Sequence, residues 1–285
     1  MSHPIDLESA MRLFISADIE GVAGVVSRDQ SRVGEGFEWD RARDWMTGEV
    51  TAACEAALAA GCAEVVVCDS HGSGQNIKIE RLPAKVTLVR GWPRPLGMMQ
   101  GVEVGRYVGA MLLGYHSGAT AEAGILGHSF KGVAYAGIRL NGRTVSEAAF
   151  SAAIAADFGV PILAVSGDDA FVAETRDLLG EVEAATVKWT YGLMAARSLR
   201  PQDACEAIAA TVTRALGRRD SFQNEPLSRP VELEIDFKHR APVDLLDFLS
   251  CVERRGAFGV RFVGVDMTEV SKFLSFVSRF SSDLT

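Results

Sequence analysis

The sequence predicts an α/β fold: a mainly parallel sheet flanked by helices, followed by a smaller α/β or α+β C-terminal domain. Three observations predict it. Short apolar runs such as Leu13-Phe14-Ile15, Val65-Val66-Val67 and Ala110-Met111-Leu112-Leu113 have no polar break, as in strands buried on both faces. The first two runs flank a helical period through Trp45, Met46, Val50, Cys54 and Leu58. A strand, a helix and a strand of these lengths form a βαβ unit, so the two strands are parallel. After Pro230 the elements become short and alternate between strand and helix.

In chain order, residues 11–17 read as the first buried strand. Residues 21–36 are a polar, glycine-spaced loop, and 39–60 a helix with Gly61 as its C-cap. Strands are expected at 65–68, 86–89 and 110–113. Residues 133–140 and 143–145 flank Asn141-Gly142, the strongest short hairpin signal. Ser146-Glu147 opens an alanine-rich helix that ends near Gly159, and 160–165 is a strand. A helix from Phe171, a short strand at 185–189 and a helix at 201–216 follow. The last stretch reads as strand 231–237, helix 244–255, strand 260–265 and helix 267–280. The expected division is a catalytic domain over 11–190, a smaller C-terminal domain over 191–285, and a tail over 1–10.

The chain has 285 residues, with 48% hydrophobic and 23% charged residues, ordinary values for a globular protein able to bury a large core. A formal net charge of -8 argues against nucleic acid or an anionic membrane surface as main partner. No apolar run reaches the roughly 18 residues of a membrane span. The first ten residues carry acids and no apolar h-region, unlike a signal peptide. Five cysteines, none in a C-x-x-C spacing, suit buried thiols in a reducing cytoplasm.

Three strands stop at similar punctuation: Asp18-Ile19-Glu20-Gly21, Asp69-Ser70-His71-Gly72 and Gly114-Tyr115-His116. In an open parallel sheet these carboxyl ends share one edge, where ligand sites form. Asp18 and Glu20, two apart on an extended chain, face the same way, and they repel unless a cation or proton sits between them. Carboxylates with neutral imidazoles suit a divalent metal such as zinc. Asp18, Glu20, His71 and His116, with Glu147, are enough ligands for two metals sharing one carboxylate. Such a pair, about 4 Å apart, activates water and polarises a carbonyl or phosphoryl oxygen.

Several segments carry a resemblance. Ser16-Ala-Asp-Ile-Glu-Gly-Val-Ala-Gly24, Asp69-Ser70-His71, Leu113-Gly-Tyr-His116-Ser117, Gly127-His128-Ser129 and Asn141-Gly-Arg-Thr-Val-Ser-Glu147 stand in the order of the zinc D-aminopeptidases of dipeptide-transport operons. Ser166-Gly-Asp-Asp169 and Val265-Asp266-Met267 also match, so the likeness runs through nearly the whole chain. It implies that Asp18 bridges two zinc ions per subunit, with Glu20 and His116 completing one set of ligands and His71 and Glu147 the other. It implies that His128 is the catalytic histidine and not a ligand. It further implies a homodecamer of two stacked five-fold rings that removes an N-terminal D-residue from short peptides through di-zinc-activated water. The loop between His116 and His128 departs from the family pattern, which bears on substrate preference.

Two other readings compete. The same metal geometry serves a phosphoesterase or another amide hydrolase, though only Lys131 lies beside the ligand segments to hold a phosphate. A non-enzymatic α/β ligand-binding module needs a phosphate cradle after the first strand. Glu20-Gly21-Val-Ala-Gly24 lacks the G-x-G-x-x-G glycines. Asp69 and Ser70 read as supports for a metal histidine, and Asp168 as a helix N-cap.

Overall fold

The chain enters the fold at β1 (Arg12–Ala17), whose Leu13, Phe14 and Ile15 are fully buried. The computed structural model describes residues 11–34 and 36–280, so the expected tail over 1–10 lies outside the described residues. A short helix, α1 (Arg28–Ser31), precedes the long α2 (Gly36–Ala59). Gly61 ends α2 at φ +100°, and Cys62 N–H donates to Ala57 O at 3.0 Å, the expected glycine cap.

Strands β2 (Glu64–Asp69), β3 (Val86–Val89) and β4 (Gly109–Tyr115) follow. The hairpin β5 (Tyr135–Leu140) and β6 (Arg143–Thr144) turns on Asn141 and Gly142, both at positive φ, as its dipeptide requires. Next come α3 (Glu147–Asp157), β7 (Ile162–Asp168), α4 (Asp169–Leu179), β8 (Glu183–Gly192), β9 (Ala195–Ser198) and α5 (Pro201–Gly217). The chain closes with β10 (Val231–Phe237), α6 (Ala241–Leu246), β11 (Val252–Arg255), β12 (Gly259–Gly264) and α7 (Met267–Arg279).

Two sheets result. The larger has the order β3-β2-β1-β4-β7-β8-β9, parallel throughout except for β9 at its edge. The smaller is antiparallel, in the order β11-β12-β10-β5-β6. The α/β class expected from the sequence is the class observed. Alternation along the central strands sorts their side chains. Leu13 and Ile15 join α2 and α5 on one face, while Phe14 joins α3, α7 and the second sheet on the other. A fully buried side chain of this kind contributes about 1.5–3 kcal/mol.

Both layers use chain from either side of residue 190. The smaller sheet takes β5 and β6 from before it, and α5 packs on α2 from after it.

The helix expected at 244–255 is a correction. Only Ala241–Leu246 is helical, and Val252–Arg255 pairs with β12. Gly256, at φ +72°, turns that hairpin, and Arg261 bridges to Glu253 at 2.7 Å across it. Sheet pairing thus overrides a stretch whose local preference is helical. The sequence also gave no sign of β9, four mostly exposed residues without an apolar alternation.

Candidate metal centre and active site

Strand order reverses between β1 and β4, since β2 and β3 lie on one side and β7 and β8 on the other. The crevice at the carboxyl ends of two such strands is where open α/β sheets bind ligands. Asp18 leaves β1, His116 leaves β4 and His71 follows β2, so three ligand candidates converge there. The approach is close. Asp18 N–H donates to Leu113 O at 2.8 Å and Gly21 N–H to Gly114 O at 2.7 Å. A Cβ on Gly21 would strike Tyr115 O, and one on Gly114, at φ +67°, would strike Asp18 O.

Each of the three histidines is oriented by a backbone carbonyl, which can only accept. His71 Nε2–H donates to Ser31 O at 2.5 Å, His116 Nδ1–H to Ser117 O at 2.9 Å, and His128 Nδ1–H to Leu126 O at 2.9 Å. In each neutral ring the other nitrogen then carries a lone pair. The second ring nitrogens all face carboxylates. His71 Nδ1 lies 2.8 Å from Glu20 Oε2 and 3.2 Å from Asp18 Oδ1. His116 Nε2 lies 3.5 Å from both Asp18 Oδ2 and Glu147 Oε1. His128 Nε2 lies 3.7 Å from Glu147 Oε1, and its ring stacks on that of His116 with centroids 4.2 Å apart.

A lone pair aimed at a carboxylate is unfavourable until a cation or a proton lies between them. The acids and His116 are almost wholly buried. His116 Nε2 makes no hydrogen bond. Burial would lower His71, but Glu20 and Asp18 hold it well above the usual imidazole range, so without metal a proton lies between its Nδ1 and these acids. Burial and then Glu20 push the Asp18 carboxyl up to about 7. Burial would raise Glu20 too, but His71 beside it holds that carboxyl well below the usual range. Burial would lower His116, yet Glu147, then Asp18 and Glu20, lift it to about 9. His128 goes down, through burial and then His116, so it stays neutral near pH 7. The cluster therefore attracts cations, and its donor set fits zinc.

Two groups of ligand atoms lie within 4.8 Å of one another among the described residues. One is Asp18, Glu20 and His116, and the other is His116, His128 and Glu147. His71 stays beside Asp18 and Glu20. All six residues singled out from the sequence thus gather in one place.

The supports differ from those expected. The His71 ring nitrogens meet Ser31 O, Asp18 and Glu20 rather than Asp69 or Ser70. Asp69 accepts from Asn76 N–H, Asn76 Nδ2 and Ile77 N–H, and Asn76 Nδ2 in turn holds the His71 carbonyl. Ser70 Oγ joins Ser16 Oγ, Tyr115 OH and Met98 O in a buried hydroxyl layer beneath the cluster. Asp168 caps α4 by accepting from Phe171 N–H at 2.8 Å.

Lys188 had drawn no attention in the sequence. Its buried ammonium donates to the carbonyls of Glu20, Val22 and Val25 and so fixes the loop that carries Glu20. Burial pushes this lysine down to about 8. A lysine inside β8, between Val187 and Trp189, is the local hint. Ser31 was missed because α1 was read as loop. The signal was present in Ser27-Arg-Asp-Gln30, where Gln30 Oε1 accepts from Val26 and Ser27 N–H. His128 sits between Leu126 and Phe130, at φ +53° and +55°. Such backbone costs about 1–3 kcal/mol per residue and gathers at functional sites.

A family model described as D-aminopeptidase, peptidase family M55, matches residues 11–276. The chain belongs to the D-aminopeptidase family. The D-aminopeptidase of Bacillus subtilis (strain 168) is 32% identical over 265 residues, covering 91% of this chain and 93% of that protein. A solved structure, the Zn-dependent D-aminopeptidase DppA from Bacillus subtilis, described as a self-compartmentalizing protease, superposes with a TM-score of 0.89. It is 28% identical and covers 95% of this chain and 99% of that one.

Proposed function

We propose that this D-aminopeptidase family member is a zinc-dependent enzyme that removes the N-terminal D-residue from short peptides. The observation that carries the reading is the set of carbonyl-anchored imidazoles whose second ring nitrogens face buried carboxylates. Asp18 would serve two zinc ions, with Glu20 and His116 completing one set of ligands and His71 and Glu147 the other. Bound zinc supplies Lewis acidity toward a carbonyl oxygen and lowers the pKa of water. His128, the most exposed of the three rings, takes or returns a proton at Nε2. Leu126 O keeps Nδ1 protonated, so Nε2 is the atom free to do so. Phe130, Phe150, Ile154 and Leu274 wall the adjoining cavity and limit water there.

The grouping of His128 with His116 and Glu147 supports a second reading, in which His128 is itself a ligand. The two are separated by the metal content of a His128 variant, as argued below.

The activity is tested with D-Ala-D-Ala, L-Ala-L-Ala and a panel of chromogenic phosphates. The expected result is release of D-alanine that a chelator abolishes and added zinc restores. Turnover of the L-peptide or of a phosphate in preference to the D-peptide would contradict it.

We further propose a homodecamer of two five-fold rings, in keeping with the self-compartmentalizing relative. Sedimentation equilibrium should then give ten times the 30.5 kDa chain mass, and a monomer or dimer would refute it. A cytoplasmic location accords with the five free cysteines, and no described helix is long and apolar enough to cross a membrane.

A further inference from the structure

Arg279, in the last turn of α7, pairs with no acid among the described residues. Its guanidinium lies over the Trp92 ring, 4.1 Å from the centroid, and Nη2 donates to Gly72 O at 3.2 Å. Gly72 follows His71, so this cation abuts the metal cluster. Arg94 lies over the same ring at 3.9 Å. It is buried and donates to Cys68 Sγ and Asp69 O, and it too has no carboxylate partner among the described residues. Arg94 Nε and Trp92 Nε1 are buried without a hydrogen bond. Lys131 is a third cation close enough for Arg279 to add to the effect of burial in pushing its pKa down. Three neighbouring cations, none in an ion pair among the described residues, favour an anion there.

Arg279 and Trp92 line the same cavity as Asp18, Glu20, His71, His128 and Glu147. Its volume is about 160 Å³. That is below the roughly 300–1,000 Å³ of pockets for drug-sized ligands, so a long peptide does not fit inside. The one lining thus holds the acids of the proposed metal centre and a guanidinium with no acid partner among the described residues. That guanidinium lies against an aromatic ring and can bind a carboxylate through N–H groups beyond the one on Gly72 O. A short zwitterionic peptide carries both of the complementary charges.

We propose that Arg279, stacked on Trp92, binds the C-terminal carboxylate of a di- or tripeptide and thereby sets a preference for short peptides with a free carboxyl end. This rests on the peptidase reading above and names the substrate class of that site. Arg279 is a specificity-determining residue here, outside the chemistry of bond cleavage.

The test compares D-Ala-D-Ala with its C-terminal amide on the zinc-loaded wild type and on Arg279→Gln and Arg279→Lys. The wild type should favour the acid over the amide by about tenfold or more in kcat/KM, as expected for losing one charge-assisted bidentate contact. Arg279→Gln should raise KM for the acid by a similar factor, with kcat and the amide reaction unchanged. Arg279→Lys should recover part of the loss. Equal losses on acid and amide would mean that Arg279 only props the Gly72 carbonyl, and would overturn the proposal. A wild type indifferent to acid or amide would overturn it as well. If the wild type cleaves neither peptide, the peptidase reading itself fails. Calorimetry with uncleavable reduced-bond analogues, acid and amide, then judges the subsite by itself, and equal affinities for the two overturn it.

Discussion

Asp18→Asn protein is expected to purify with little or no zinc and with activity reduced more than about a thousandfold, some 4 kcal/mol of transition-state stabilisation. The reasoning starts from placement. Asp18 presents Oδ1 toward His71 and Oδ2 toward His116, so one carboxylate lies between the two imidazoles. If both metals use it, losing its charge weakens both at once, whereas Glu20 or His71 would weaken one. Asparagine keeps the shape, and Asp18 Oδ1 already accepts from Ile19 N–H at 2.7 Å, a bond that the amide oxygen can keep. Removing a charge that burial disfavours should leave the metal-free fold at least as stable as the wild type. Elemental analysis of the purified variant, beside thermal melts of both metal-free proteins, checks this. Retention of full zinc in a folded Asp18→Asn protein would remove the residue from the metal centre.

His128→Ala is expected to keep its zinc and to lose about 10²–10⁴-fold in kcat, the usual contribution of a positioned acid or base. Of the three site imidazoles His128 has the largest exposed fraction, 26% against 1% for His116, and its free Nε2 opens on the cavity. Burial and the neighbouring His116 keep it unprotonated at neutral pH, so it can accept a proton during turnover. The alternative, in which it is a third partner to His116 and Glu147, predicts loss of one ion together with activity. Zinc content measured beside kcat separates the two, and full activity in the variant would eliminate both roles.

Much of the site was legible because strand ends are marked by abrupt changes of composition. An apolar run followed by Asp18 and Glu20, or by His71 or His116, marks a strand terminus, and parallel topology collects such termini on one edge. Glu147 was visible through the resemblance rather than its chemistry, since an acid in the first turn of a helix is favourable anyway. In the structure it reaches across to accept from Phe130 N–H at 2.6 Å and faces two histidines.

What sequence could not display were contacts made by backbone atoms and by distant side chains. The carbonyls of Ser31, Ser117 and Leu126 decide which nitrogen each histidine offers, and a carbonyl has no identity in sequence. Lys188 comes from 168 residues beyond Glu20 to hold its carbonyl. The cavity wall supplied by α7 is a helix face with Ser271, Leu274, Ser275 and Ser278 turned inward, a pattern indistinguishable from ordinary packing. The split of the expected 244–255 helix has the same origin, because the pairing of β11 with β12 is decided by the partner strand.

The most direct measurement is anomalous diffraction at the zinc edge from a zinc-loaded crystal. The account requires two peaks roughly 3.5–4 Å apart, the spacing of paired catalytic metals, with the Asp18 carboxylate between them and His128 outside bonding distance. A single peak, or none within reach of residues 18, 71 and 116, would contradict it.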